Sequence, residues 1–121
     1  MFEIYVEHTF AAGHALRNYR GKCENVHGHN YRVQVAIAGP ELDENGLLYD
    51  FAELKRRLRE ASEYLDHQFI NDLKPFDKIN PSAENIARFI CGEVQRDLTN
   101  VSVAWVRVWE TDTSCATYRP K

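Results

Sequence analysis

The sequence predicts an α+β protein, with an antiparallel four-stranded sheet and two helices on one face. Segments in which apolar residues alternate with other residues lie at both ends of the chain, and two segments with helical apolar spacing lie between them. The predicted order is therefore ββααββ. Strands that are segregated from helices in this way are typical of antiparallel sheets covered on one side.

The first two predicted strands carry an apolar residue at every second position over most of their length. In residues 2–12 these are Phe2, Ile4, Val6 and Phe10, and in the second strand they are Tyr31, Val33, Val35 and Ile37. Side chains two residues apart in a strand point to the same face, so each strand is expected to bury one face. The second strand is expected to end at Gly39-Pro40, because proline lacks the amide hydrogen that a central strand needs.

Each of the two predicted helices has a recognisable start. Asp50 can accept hydrogen bonds from the first turn, and Glu53 is expected to complete a capping box with it. The second helix starts at Asn80-Pro81-Ser82, with Pro81 in the first turn. The apolar stripes are Leu54, Leu58, Ala61 and Leu65 in one helix and Ile86, Phe89, Ile90 and Val94 in the other. The basic run Lys55, Arg56, Arg57 and Arg59 is expected to form a solvated face.

The last two predicted strands span residues 101–110 and 115–119. The longer one carries valine or tryptophan on both faces and is expected to be buried on both sides. A sheet of this size has edges that must be paired or covered, so we expect oligomerisation through them. Cys91 falls in the apolar pattern of the second helix, and both it and Cys115 are expected to be structural.

Length and composition favour one domain, residues 1–121, and disfavour several classes of protein. The chain has 121 residues, 44% of them hydrophobic, and a net charge of -3. A nucleic-acid-binding domain would carry a basic excess, and no apolar run approaches the roughly 20 residues that span a bilayer. Three cysteines without a CxxC pair and an N-terminus unlike a signal peptide suit a reducing compartment. We therefore expect a cytoplasmic protein that binds neither nucleic acid nor membranes.

Three histidines are predicted to converge on a metal ion. His27 and His29 flank Gly28 just before the second strand, so their side chains point to the same side of an extended segment. His14 lies at the end of the first strand, which in an antiparallel pair lies beside the start of the second. Three nitrogen ligands leave a tetrahedral position open, which is typical of catalytic zinc. Spacing alone also allows Cys23 to be a fourth ligand that closes a structural site.

Five segments of the chain, in order, resemble the 6-pyruvoyl-tetrahydropterin synthase family. They are FAAGH with CENVHGHNY (residues 10–14 and 23–31), GLLYDFAELK (46–55), LDH (65–67), NPSAEN (80–85) and ET (110–111). The short interval between Cys23 and His27 resembles the bacterial branch, the 6-carboxy-5,6,7,8-tetrahydropterin synthases. One departure is Ala83, where many members carry a second serine or threonine.

The resemblance implies a fold, an assembly and a reaction. The fold would be the tunnelling fold (T-fold), whose sheets join into barrels in a homo-hexamer of two stacked trimers with active sites between subunits. The reaction would be the zinc-dependent conversion of 7,8-dihydroneopterin triphosphate to 6-carboxy-5,6,7,8-tetrahydropterin, with release of acetaldehyde and triphosphate. This is a step toward 7-deazaguanine nucleosides such as queuosine.

The resemblance also implies roles for individual residues. Cys23 would accept a proton, because a nearby metal and histidine favour its ionisation. Glu110 ends a buried strand, where an unpaired carboxylate is costly, and a contact to the pterin amino group and ring N–H would satisfy it. The implied metal ligands are His14, His27 and His29, the catalytic residues Cys23, Asp66 and His67, and the substrate-binding residues Glu110 and Ser82.

Two kinds of alternative remain open at this point. The 6-pyruvoyl synthase reaction itself, or an aldolase-like cleavage of dihydroneopterin, would use the same metal and pterin sites. A non-catalytic zinc-binding module would have Cys23 as a fourth ligand and no common purpose for Asp66, His67 and Glu110. An open fourth position at the metal would favour an enzyme.

Overall fold

The computed structural model describes residues 1–17 and 25–121, and its elements follow the predicted order ββααββ. Four strands form one antiparallel sheet in sequence order, β1 (Phe2–His14), β2 (His27–Gly39), β3 (Ser102–Thr111) and β4 (Ser114–Tyr118). Two helices, α1 (Phe51–Glu63) and α2 (Ala83–Gln95), pack on one face of the sheet. The predicted fold class is therefore confirmed. A short 3-10 helix, Ile70–Asp72, was not predicted.

The hydrophobic core lies between the sheet and the two helices. It is built from even-numbered residues of β1, odd-numbered residues of β2 and the apolar stripes of both helices, as the alternation predicts. The fully buried side chains include Tyr31, Val33, Val35, Ile37, Leu54, Leu58, Leu65, Ile86 and Ile90.

The pairing of β1 with β2 is longer than predicted at the end that matters for the site. β1 continues to His14 and β2 already starts at His27, so these two residues face each other in the ladder. The prediction stopped at residue 12 because Gly13 and His14 do not continue the apolar alternation. Backbone hydrogen bonds do not depend on that alternation, and the ladder continues through them.

The helix starts agree with the prediction only in part. The Asp50 carboxylate accepts the N–H of Ala52 at 2.8 Å and caps α1. The reciprocal half of the capping box is wrong, because Glu53 binds the Arg56 guanidinium instead. Pro81 also lies outside the first turn of α2, since Ser82 after it is the N-cap residue.

The basic run of α1 is less solvated than predicted. Arg57 is half-buried and donates hydrogen bonds to the Tyr49 hydroxyl at 2.9 Å and the Arg96 carbonyl at 2.7 Å. These contacts tie α1 to the segment before it and to the end of α2. Arg57 therefore stabilises the packing of the helices, while Lys55 and Arg59 are exposed as expected.

The face of the sheet opposite the helices carries tryptophan and arginine side chains. Trp105 is covered by the Tyr5 ring, with ring centroids 5.8 Å apart, and by the Arg107 guanidinium at 4.2 Å. Trp109 is half-buried under Arg32. The prediction that β3 is buried on both sides is therefore wrong toward its end. There the outer face is covered only by long arginine side chains, which leave it partly exposed.

Two further findings bear on predictions from the sequence. Cys91 is buried, as predicted, but Cys115 is exposed at the start of β4, so a structural role for it is not supported. Of the helices within residues 1–17 and 25–121, none is long and apolar enough to cross a membrane.

Candidate metal and active site

Three histidines and one glutamate meet at one end of the sheet. His14 closes β1 and pairs with His27, the first residue of β2, while His29 lies two residues further on the same face. Glu110 lies near the end of β3. One ligand atom from each of these four residues lies within 4.8 Å of the others. The structure thus brings the three predicted histidines together and adds Glu110 to them.

The distances within this cluster are short. The Nε2 atoms of His14 and His27 are 3.1 Å apart. The Glu110 Oε1 atom lies 3.0 Å from the Nε2 of His14 and 3.5 Å from the Nε2 of His29. The three imidazole rings stand edge to face, with interplanar angles of 75°, 80° and 89°. This geometry suits side chains that surround a common centre.

Hydrogen bonds at the outer ring nitrogens fix the orientation of two of the imidazoles. The Nδ1 of His14 lies 2.8 Å from the Pro81 carbonyl, and the Nδ1 of His27 lies 2.8 Å from the Asn25 carbonyl. A carbonyl oxygen only accepts, so each Nδ1 carries a hydrogen and each ring turns its Nε2 toward the cluster. Such outer hydrogen bonds are typical of histidines that bind metals.

The cluster therefore collects atoms that can bind a cation. The Nε2 atoms of His14 and His27 face each other, and the Glu110 carboxylate lies beside His14. A cation between these atoms would be attracted to all three of them. Imidazole nitrogens and one carboxylate oxygen are the donor set that zinc prefers, so the residues fit a zinc ion.

His29 completes the cluster, and burial favours its neutral form. Burial lowers the pKa of His29 below its ordinary value; the Glu110 carboxylate opposes this, and His14 and His27 add to the lowering. Its Nε2 is buried without a hydrogen-bond partner among the described residues. A neutral imidazole with an unpartnered buried nitrogen is suited to bind a metal ion.

Asp66 and His67 lie against the edge of β1 at Ala11, three residues before His14. The Asp66 carboxylate accepts the N–H of Ala11 at 3.0 Å, and the N–H of His67 donates to the Ala11 carbonyl at 2.6 Å. The backbone hydrogen bond from Ala11 lowers the pKa of Asp66. The Nδ1 of His67 is 3.0 Å from the Asp66 carboxylate, which orients the ring.

The His67 side chain is 81% exposed, and its backbone adopts a left-handed conformation with φ of 58°. Non-glycine residues rarely adopt this conformation, and such residues cluster at functional sites. His67 and His29 both line an open cavity of about 450 Å³. Within a single chain, His67 thus lies beside the same cavity as His29, although the sequence did not require the two to be close.

Comparison with known proteins identifies the family. The sequence model of the family described as 6-pyruvoyl tetrahydropterin synthase matches residues 3–121. The chain belongs to this family.

Relatives within the 6-pyruvoyl tetrahydropterin synthase family match over nearly the whole chain. The 6-carboxy-5,6,7,8-tetrahydropterin synthase of Haemophilus influenzae is 34% identical, over 98% of this chain and 99% of its own length. The protein of the same name from Bacillus subtilis is 36% identical, over 99% of this chain and 86% of its own. The structure of the 6-pyruvoyl tetrahydropterin synthase of Caenorhabditis elegans superimposes with a TM-score of 0.88 at 26% identity, covering 99% of this chain and 96% of that one.

Of the other predicted site residues, the structure describes Ser82 and Glu110 but not Cys23. The Ser82 hydroxyl caps α2 by accepting the N–H of Asn85 at 3.1 Å. Glu110 faces the histidines and also lines a small cavity of about 180 Å³ with Ala83 and Glu84. Cys23 lies outside the described residues, so its predicted roles as proton acceptor or metal ligand stay predictions.

Residues to which the sequence analysis gave no role in the site support it. The Asn71 side chain binds both the N–H and the carbonyl of Ala15, and the Asn80 side chain does the same for Arg17. Tyr31 was predicted only as a core residue, yet its buried hydroxyl has no partner among the described residues and its ring lies 5.5 Å from that of His29. Its position two residues after His29 was the available signal; Asn71 carried none.

Proposed function

We propose that this chain is a 6-carboxy-5,6,7,8-tetrahydropterin synthase. It would convert 7,8-dihydroneopterin triphosphate and water to 6-carboxy-5,6,7,8-tetrahydropterin, acetaldehyde and triphosphate, on the route to queuosine. The observation that carries the proposal is the convergence of His14, His27 and His29 on one point. It occurs in a chain that is 34% and 36% identical to two relatives bearing that enzyme name.

The proposed zinc ligands are His14, His27 and His29. When bound there, the ion would act as a Lewis acid toward the side-chain oxygens of the substrate and acidify the adjacent C–H. The carbonyls of Pro81 and Asn25 hold two of the rings with Nε2 free for the metal. Because these contacts are made by the protein alone, the centre is preorganised before the substrate arrives.

The proposed proton transfers use Cys23, Asp66 and His67. Cys23 would accept the acidified proton, and the Asp66 carboxylate would orient His67 as a proton shuttle. The 3.0 Å contact between Asp66 and the Nδ1 of His67 supports this division of roles. The Nε2 of His67 would then be the ring atom that serves the substrate.

The proposed assembly is a homo-hexamer in which sites form between subunits. β1 and β4 are the two edges of the sheet, and within residues 1–17 and 25–121 the hydrogen bonds of residues 66–68 with the edge of β1 are made at Ala11 and Gly13. The rest of the β1 edge can pair with another strand. The exposure of His67 supports the same proposal, because a catalytic imidazole is expected to be covered when its site is complete.

The product assay tests the proposed reaction. Purified protein with zinc and 7,8-dihydroneopterin triphosphate should release one acetaldehyde for each 6-carboxy-5,6,7,8-tetrahydropterin, identified by mass spectrometry. Formation of the 6-pyruvoyl product without acetaldehyde would favour the sibling reaction. Stoichiometric zinc with no turnover would favour a non-catalytic module.

A metal-binding assay tests the centre itself. Equilibrium dialysis should give about one zinc ion per chain. The His27→Ala variant should lose the ion, whereas His8→Ala should keep it, because His8 lies in β1 outside the cluster. Full activity of chelated, metal-free protein would contradict the proposal.

A further inference from the structure

We propose that Glu110 is the fourth protein ligand of the metal in the substrate-free enzyme, and that oxygens of the substrate displace it. This inference rests on the proposed function, because it assigns a further ligand to the same centre. It also changes the view that the sequence suggested, in which three histidines leave the fourth position open.

The separations between donor atoms support the inference. Two ligands about 2.0–2.1 Å from one tetrahedral zinc ion lie about 3.3 Å from each other. The Glu110 Oε1 lies 3.0 Å from the Nε2 of His14 and 3.5 Å from that of His29. These values resemble the 3.1 Å between the Nε2 atoms of His14 and His27. The distances from Glu110 to His14 and His29 are thus those expected between two ligands of the same ion.

The two sides of the His14 ring have different partners. The Pro81 carbonyl lies 2.8 Å from the Nδ1, and the Glu110 Oε1 lies 3.0 Å from the Nε2 on the cluster side of the ring. A metal ion bound by both the Nε2 and the carboxylate accounts for this approach.

Charge leads to the same assignment. Among the described residues, the partners of the Glu110 carboxylate are the imidazoles of His14 and His29, and no lysine or arginine forms an ion pair with it. A half-buried carboxylate without such a cationic partner is costly. A divalent cation at the centre of the cluster compensates it directly.

Glu110 is also the ligand that can leave most easily. Its side chain is 31% exposed, whereas His14 is 1% exposed and fixed at its Nδ1. The register of β3 with β4 shifts between Trp109 and Thr111, and such bulges redirect a side chain. The cavity of about 180 Å³ that Glu110 shares with Ala83 offers space beside the metal. Once displaced, the same carboxylate can contact the pterin, as the sequence suggested.

The test compares metal binding by Glu110→Gln with that by Glu84→Gln, a matched control on a carboxylate that lines the same cavity but lies outside the cluster. Zinc affinity is measured by competition with a chromophoric chelator. Glu110→Gln should weaken zinc binding at least about tenfold, because losing even an outer partner of a metal ligand costs about 10–100-fold. Glu84→Gln should bind zinc like the wild type.

Cobalt(II) provides a second readout that is independent of activity. The visible spectrum of the cobalt-loaded protein should change in Glu110→Gln and stay unchanged in Glu84→Gln. A pterin with a 1,2-diol side chain should change the wild-type spectrum as its oxygens replace the carboxylate. If Glu110→Gln does not fold, Glu110→Asp keeps the ligand type at a shorter reach and should show a changed spectrum and weaker binding.

The possible failures are distinguishable. Equal zinc affinity and identical cobalt spectra for Glu110→Gln and the wild type would overturn the inference while the three-histidine centre stands. A thiolate-to-cobalt charge-transfer band that disappears in Cys23→Ala would also overturn it, since Cys23 would then be the fourth ligand. Absence of stoichiometric zinc from the wild type would overturn the proposed function as well.

Discussion

The Asn71 side chain holds the chain where it leaves β1, directly after the candidate ligand His14. Ala15 donates its N–H to the Asn71 Oδ1 at 2.9 Å, and the Asn71 Nδ2 donates to the Ala15 carbonyl at 2.7 Å. Asn71 is buried, with 9% exposure. Asn71→Ala removes both bonds, so the N–H and the carbonyl of Ala15 must bind water instead.

The expected cost follows from these two bonds. A typical intramolecular hydrogen bond contributes about 0.5–1.5 kcal/mol, so Asn71→Ala should lower the free energy of unfolding by about 1–3 kcal/mol. The segment should remain partly held, because Asn80 makes the same pair of bonds with Arg17 at 2.7 and 3.0 Å. A domain with about 5–15 kcal/mol of stability therefore still folds.

Urea unfolding of the metal-free protein measures this cost. Asn45→Ala is the matched control, because Asn45 is exposed in a turn and undergoes the same truncation. Asn71→Ala should shift the midpoint and leave the m-value unchanged, and it should also weaken zinc binding because His14 is adjacent. If the two variants differ by less than about 0.5 kcal/mol, Asn71 does not hold this segment as argued.

Four further predictions concern the proposed chemistry. Cys23→Ala should abolish turnover while zinc stays bound; loss of zinc in metal analysis would instead make Cys23 a ligand. Glu110→Gln should weaken pterin binding far more than it lowers stability, because the amide sets a donor against ring donors; unchanged affinity in a calorimetric titration would reject this contact. Mixed oligomers of Cys23→Ala and His67→Ala chains should recover part of the activity after subunit exchange, and verified exchange without activity would place both residues in one chain. The Ala11 N–H lowers the pKa of Asp66 below its ordinary value of 3.8, so the stability that Asp66 adds is lost as pH falls through the lowered pKa. The difference in urea stability between wild type and Asp66→Ala should therefore shrink below pH 3.8; a difference that grows toward acid would contradict this sign.

The sheet could be predicted because alternation determines which side of each strand is buried. The even positions of β1 and the odd positions of β2 had to face one core, so the strands must pair even with odd positions, and the structure selects one such register, with Phe10 opposite Tyr31. Side-chain pattern does not fix where a ladder ends. The last pairs of β1 and β2 are therefore found only in the structure, although they carry His14 and His27.

The candidate site was predictable only where local spacing and one strand pairing were sufficient. His27 and His29 are two residues apart, and the antiparallel pairing brings His14 to them. The position of Glu110 depends on β3 pairing with β2 in a register that sets Trp109 opposite Arg32. Residues so distant in sequence carry no local signal of such a register. The hydrogen bonds of Asn71 likewise arise from the packing of an irregular segment.

The Asp66-His67 pair and the histidine cluster are held by the same short part of β1. Ala11 binds the backbone of His67 and the carboxylate of Asp66, and His14 lies three residues further along the strand. The distance between the pair and the histidine cluster of the same chain is therefore fixed. Yet 81% of the His67 side chain is exposed, and its backbone is left-handed, with a φ of 58°. Attachment to β1 favours a pair that serves its own centre, whereas exposure favours one that serves a neighbouring chain. Because the backbone bonds to Ala11 would exist in either case, only the exchange of subunits between inactive variants separates the two arrangements.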